Sequence, residues 1–186
     1  MKKAVIILNV LFFSLMAENM KAQTSTFTKS DNVLGVGIGL GGSLYSGSWL
    51  ISDVKRTPYL FATYERCIID NLFNDKSSIG VGGQVGYSAF TWSGYWKQRH
   101  FNVCARGAFH YALVNKLDTY AGVVMGLDFE SWKYESNYYE NTYDNDVDLV
   151  YTLFAGARYY FSNNFAAFAE LGYGISLFNI GLAIKF

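Results

Sequence analysis

From Val33 to the end of the chain, apolar and polar residues alternate with a period of two, and helical periodicity is almost absent. Alternation of that kind places successive side chains on opposite faces of an extended strand. It predicts eight strands, over residues 33–45, 59–69, 78–90, 99–111, 119–130, 148–161, 165–174 and 177–186. The predicted connections alternate in length. Segments 70–77, 112–118 and 162–164 hold eight, seven and three residues, against thirteen, eight and seventeen in 46–58, 91–98 and 131–147; the brief link around Ile175 and Ser176 breaks the rule. Short turns on one side and longer loops on the other describe an up-and-down antiparallel barrel that crosses an outer membrane.

The content of the two faces decides what surrounds such a barrel. In the fourth strand, Phe101, Val103, Ala105, Gly107, Phe109 and Tyr111 share one face, and His100, Asn102, Cys104, Arg106, Ala108 and His110 the other. The seventh strand sets Phe165, Ala167, Ala169, Leu171 and Tyr173 against Ala166, Phe168, Glu170 and Gly172. The charged face is also the face of small residues, which suits a crowded interior. The apolar face is therefore expected to look at lipid, with Tyr87, Phe101, Phe129, Tyr173 and Phe178 near one strand end and Tyr111, Phe161, Phe165 and Phe186 near the other. Two aromatic girdles flanking an aliphatic band mark a lipid-embedded barrel. Closure is required as well, because an open sheet edge in hydrocarbon leaves backbone groups unpaired. The expected fold class is all-β: a closed antiparallel transmembrane barrel of about eight strands whose lumen is filled by side chains.

The N-terminal stretch reads differently. Lys2 and Lys3 precede an apolar run to Ala17, followed by short polar sequence ending in Ala22 before Gln23. This is the layout of a secretory signal, too short for a spanning helix. Residues 1–22 are expected to be removed, with cleavage after Ala17 as the alternative, leaving 23–186 as one barrel domain. Of the chain's 15 basic and 15 acidic residues, Lys2, Lys3, Lys21 and Glu18 leave with that segment, so 12 bases and 14 acids remain. No basic footprint for nucleic acid survives. Cys67 and Cys104 fall on non-adjacent strands and are expected as free thiols, since bridging requires Cα atoms within about 7 Å.

The terminal stretch Phe178, Asn179, Ile180, Gly181, Leu182, Ala183, Ile184, Lys185, Phe186 is apolar at every second residue and ends in Phe. It resembles the C-terminal signal recognised by the outer-membrane barrel assembly machinery, carried here by Phe178, Ile180, Leu182, Ile184 and Phe186. Residues 23–186 as a whole resemble the small outer-membrane barrels of the OmpX and OmpA-transmembrane-domain class. The resemblance implies residence in the outer membrane with lipid as surroundings, the assembly machinery as a partner, and a plugged lumen.

Candidate chemistry lies in two places. The interior face is expected to pair Glu65, Asp128 and Glu170 with Arg106, Arg158 and Lys185, because an unpaired buried charge costs several kcal/mol. Arg158 and Glu170 lie on a diagonal across the 162–164 turn, and Glu65 and Arg106 at similar depth. The 131–147 loop carries Trp132, Tyr134, Tyr138, Tyr139 and Tyr143 among acidic residues, a composition suited to recognising a surface protein or glycan, and equally to a hairpin rising above the membrane. His100 and His110 are the only histidines. Lipid A-modifying barrels use a His with a nearby Ser or acid, and His100 would be the base, but no Ser lies at a suitable spacing along the chain. Gly37 to Gly42 match a dinucleotide fingerprint in letters only, since no helix follows. Asp144, Asp146 and Asp148 open like a calcium loop, but Leu149 and Ala155 stand where Gly and Glu are needed. No cofactor, metal or catalytic residue is expected. The leading expectation is a non-enzymatic outer-membrane protein whose external loops serve surface contacts or envelope integrity, with lipid A modification or a soluble secreted ligand-binding barrel as alternatives.

Overall fold

The computed structural model describes residues 26–42, 54–73, 75–92, 96–134 and 143–186. Among them are nine strands and no helix: β1 (Asn32–Leu40), β2 (Val54–Arg56), β3 (Tyr59–Asp70), β4 (Ser77–Trp92), β5 (Trp96–Val114), β6 (Leu117–Tyr134), β7 (Tyr143–Tyr160), β8 (Phe165–Tyr173) and β9 (Phe178–Lys185). Every pairing is antiparallel. The ladders run β1–β3–β4–β5–β6–β7–β8–β9 and return from β9 to β1, so eight staves close a barrel. Closure removes the free edges that an open sheet would leave.

The ninth strand is a continuation of a stave. β2 pairs with β4 beyond the point where β3 stops, from Arg56 opposite Phe90 to Val54 opposite Trp92. Pro58, which has no N–H to donate, falls in the gap between β2 and β3. There Thr57 substitutes for the ladder: its backbone N–H donates to the Ala89 carbonyl at 3.0 Å, and its Oγ1 accepts from the Ala89 N–H at 2.8 Å.

Sequence alternation and barrel geometry agree on which face is which. Leu149, Leu171 and Leu182 are 60–69% exposed, while Glu65, Arg106 and Glu170 are at most 4% exposed. Phe101 and Ile184 also face outward. Aromatics terminate the outward band at both ends: Phe101 and Phe129 lie 6.4 Å apart at the loop end, and Phe161 stacks on Phe165 at 6.4 Å at the turn end. The outward row of a soluble barrel would be polar; this one is continuous hydrocarbon.

Stave length is uneven. β4 to β7 hold 16–19 residues each, against 8 or 9 in β1, β8 and β9. A tilted strand needs about 9–11 residues to cross a bilayer. The short staves therefore only cross, and the long ones continue past the loop-end girdle. The expected 131–147 loop is corrected accordingly: β6 runs on to Tyr134 and β7 begins at Tyr143, still paired at Lys133 and Tyr143. The paired ends follow the hairpin alternative, and five residues of β6 beyond Phe129 extend it about 17 Å at ~3.4 Å per residue, with residues 135–142 outside the described residues. The expected first strand to residue 45 is described only to Leu40, and residues 1–25 lie outside the described residues.

Turn chemistry explains the short connections. Ser162 Oγ accepts the N–H of Phe165 at 3.0 Å, and Asn164 Nδ2 donates to the Lys185 carbonyl at 2.7 Å. Lys116 adopts a positive φ of 67°, which tightens the β5–β6 link to Asn115 and Lys116 and brings Asp118 into the barrel wall. At the loop end the β8–β9 link tucks inward: Ile175 and Ser176 are buried, and the Ile175 N–H donates to Thr152 Oγ1 at 2.9 Å.

Candidate functional site

The lumen is filled by side chains in three layers. Nearest the turn end, four charged residues from four different staves close a ring. His110 Nε2 lies 2.6 Å from Glu65 Oε1, and His110 Nδ1 lies 3.0 Å from both Asp118 oxygens. Arg158 donates to Glu65 Oε2 at 3.1 Å and to Asp118 Oδ2 at 3.4 Å. An imidazole that donates from both nitrogens to carboxylates is the cationic form, so the ring holds two anions and two cations. All four are at most 4% exposed. Phe27, from the segment ahead of β1, covers the ring from below: it is fully buried, with its ring centroid 4.5 Å from that of His110.

The middle layer is built on Arg106. Its guanidinium donates to Glu170 Oε1 and, at 3.3 Å, to Gln84 Oε1, and lies 3.9 Å from the centre of the Phe154 ring. Tyr120 donates its hydroxyl to the same Glu170 oxygen at 2.9 Å. Gln84 donates onward to Tyr59 Oη at 3.1 Å, and Tyr59 donates to Asn102 Oδ1 at 2.7 Å. The upper layer holds His100, whose Nδ1 donates to Asp128 Oδ2 at 2.7 Å with Phe90 set edge-on against the ring.

Four expectations are changed by these positions. Arg158 and Glu170 do not pair, because Asp118 stands directly opposite Arg158 in the β6–β7 register while Phe168 faces it from β8. Glu170 is taken from across the lumen by Arg106 instead. Glu65 likewise turns to His110 and Arg158 in preference to Arg106. Lys185 lies outside the buried network. At the last strand position its long side chain snorkels to the turn-end mouth, where Nζ donates to the Thr26 carbonyl at 3.0 Å and lies 3.6 Å from Asp31. Asp128 meets a histidine, not one of the three expected bases.

Sequence reasoning missed Asp118, which sits in strand β6 and not in a loop, as well as His110, Tyr59, Tyr120 and Phe27. The period-two pattern could have found Asp118, which shares parity with Tyr120, Val124 and Asp128. Cys67 and Cys104 are buried free thiols on β3 and β5, with β4 between them.

At the outer rim, Trp132 is half-buried on the inward side of β6. Tyr134 and Tyr143 are strand residues whose side chains lie outside the description, and Tyr138 and Tyr139 lie outside the described residues. Ser88 stands directly opposite His100 in the β4–β5 register, so the barrel provides the serine neighbour that chain spacing does not. Ser88, His100 and Asp128 are all at most 4% exposed.

No family model matches the chain, and no curated protein is significantly similar to it. Solved structures are similar. That of Ail, the attachment invasion locus protein of Yersinia pestis, aligns at 15% identity over 86% of this chain and 100% of its own, with a TM-score of 0.51. The outer membrane protein OprG from Pseudomonas aeruginosa aligns at 10% identity over 87% of this chain and 99% of its own, with a TM-score of 0.53. Identity this low speaks to architecture alone, and it does so across nearly the whole length of each partner. The chain has the fold of the small eight-stranded outer-membrane β-barrels, the class its C-terminal stretch resembles.

Proposed function

We propose that this is an integral outer-membrane protein whose lumen is plugged and which acts, without catalysis, through what its long staves present outside. One observation carries this reading: a wall of exposed Leu, Val, Ile and Phe surrounds a lumen whose buried charges are held in matched pairs. Hydrocarbon is the solvent that favours such an exterior, because each inward-to-lipid exchange of a charge costs about 2–4 kcal/mol at mid-depth. In this reading residues 1–22 direct export and are removed. Phe178, Ile180, Leu182, Ile184 and Phe186 are presented to the assembly machinery, and lipid is the permanent partner. Trp132, Tyr134 and Tyr143 lie on the outer ends of β6 and β7, and with Tyr138 and Tyr139 between them in the sequence they make up the segment offered to a surface protein or glycan or to neighbouring envelope components. No cofactor is required.

Fractionation and bilayer recording test the reading together. The protein is expected in the membrane fraction, with a gel mobility that changes on boiling, and without stable conductance in planar bilayers. Recovery from the aqueous fraction would exclude membrane residence; steady ion channels would exclude the plug.

Ester chemistry at His100 is the second reading, favoured by Ser88 standing opposite His100 while Asp128 holds its Nδ1. A small fluorophosphonate applied to folded protein would label Ser88 if that serine is activated. An unlabelled Ser88 ends this reading.

A further inference from the structure

Beyond the loop-end girdle, the long staves sort their charges by face. The outward row Tyr87, Phe101, Phe129, Val147 is followed by Ala89, Arg99, Ser131, Asn145, and then by Thr91, Lys97 and Lys133, with Lys55 paired to Thr91. Among the described residues these two outward rows carry four cations, Lys55, Lys97, Arg99 and Lys133, and no acid. The inward positions at the same height carry Glu130 and Asp146, with Gln98 donating to Glu130 and Arg56 lying 5.8 Å from the Phe90 ring centre. Lys55 and Arg99 are exposed, and Lys97 and Lys133 are half-buried against the wall. At the turn end the charges are mixed in sign, with Arg66, Asp70, Asp75 and Lys76 in and beside the β3–β4 turn.

Position decides what such a patch meets. The aromatic row marks the boundary between hydrocarbon and the polar headgroup layer. A side chain directed away from the barrel one or two rows above it points neither into the lumen nor freely into bulk water, but along the headgroup layer. Four cations there are complementary to phosphate, which accepts hydrogen bonds from guanidinium and ammonium groups. Each basic residue near an anionic membrane surface contributes about fivefold in affinity.

Building on the membrane reading above, we propose that Lys55, Lys97, Arg99 and Lys133 form a binding surface for the phosphate groups of an outer-leaflet glycolipid, on the wall formed by β2 and β4–β6. The lipid lies with its acyl chains against the aliphatic band and its phosphorylated sugar against the two cationic rows. Arg99, which sits nearest the girdle, is placed for the phosphate closest to the acyl chains.

The test uses full-length protein folded into phosphatidylcholine nanodiscs, titrated with fluorescent bis-phosphorylated lipid A or with the same lipid after phosphate removal. Saturable binding of the phosphorylated form is expected, weakening about fivefold in R99Q and more than 100-fold in the combined K55Q, R99Q, K97Q and K133Q variant. The heat-dependent mobility shift of the variant reports that its barrel is intact, because none of the four side chains enters the lumen. Equal binding of the dephosphorylated lipid overturns the proposal, as does undiminished binding by the combined variant. Failure to enter nanodiscs at all would instead refute the membrane reading on which the proposal stands.

Discussion

The short staves β8, β9 and β1 and the long staves β4 to β7 follow the same period-two rule and put it to different uses. In β9 the outward row is Phe178, Ile180, Leu182, Ile184 and ends where the hydrocarbon would end. In β5 the outward row passes from Phe109 and Val103 through Phe101 to Arg99 and Lys97 without losing register. Periodicity sets which way a side chain points, and composition sets what it points into. Two segments with identical backbone geometry therefore differ in tolerance to the same substitution, and that difference is measurable.

The largest effect is expected in the lumen, which both kinds of stave share. Arg158 joins β7 to β3 and β6 through Glu65 and Asp118. Arg158→Leu leaves two buried carboxylates with only His110 between them, and removal of one partner from a buried pair costs about 3–5 kcal/mol. Urea unfolding of the protein in vesicles should show a loss of that size. Lys133→Leu on the projecting wall should cost no more than ~0.5 kcal/mol, the ordinary scale for a surface change. Similar losses for the two would dissolve the distinction between plug and rim.

The next effect contrasts two outward positions. Leu182→Arg, in the middle of a short stave, should cost about 2–4 kcal/mol if lipid surrounds it, while Asn145→Arg, outward but beyond the girdle, should cost less than about 1. Equal values in the same unfolding assay would mean that both rows face one solvent.

A third and smaller effect tests how tightly the lumen face packs compared with the outward face. On β1, a Cβ added at Gly37 would lie 2.7 Å from the Phe61 ring and 2.7 Å from the Ile180 carbonyl oxygen. The oxygen is backbone and cannot yield without moving β9. Gly37→Ala should therefore destabilise by about 1–3 kcal/mol through overpacking. Gly107, on the outward face of β5, meets nothing within 4 Å at the same test atom, so Gly107→Ala should be nearly neutral. Circular dichroism melts of the two variants measure the contrast.

How much of this was legible beforehand follows from the range of each interaction. Facing was legible, because it depends only on parity: Phe101, Leu171, Leu182 and Ile184 could be placed outward and Glu65, Arg106 and Glu170 inward from the letters. Partners were not. Arg106 on β5 reaches Glu170 on β8, and Arg158 on β7 reaches Glu65 on β3, across the lumen between staves that share no ladder. Such pairs are set by barrel radius and strand stagger, which no local pattern carries. Asp118 was lost for a different reason, since Asn115 and Lys116 form a two-residue turn without the Gly that usually signals one. Phe27 was lost because a lone aromatic among Ser and Thr gives no period at all.

The smallest expected effect concerns the projecting hairpin. β6 and β7 stay paired up to Lys133 and Tyr143, but from Tyr143 to Thr152 the β7 strand has no β8 partner in register, because β8 ends opposite Leu153. Within this stretch Val150 and Thr152 turn into the interior, whereas Asn145 to Leu149 are all exposed. Replacing residues 132–144 by a two-residue Asn-Gly turn, which keeps Ser131 opposite Asn145, should therefore leave the stability of the barrel nearly unchanged, within ~0.5 kcal/mol, and preserve the heat-dependent gel shift. It should abolish whatever contact the outer tyrosines and Trp132 make, read as loss of adhesion between cells displaying the full-length protein and those displaying the shortened one. A large loss of stability would assign the hairpin to the fold, and with it the longer staves would cease to be a separate functional region.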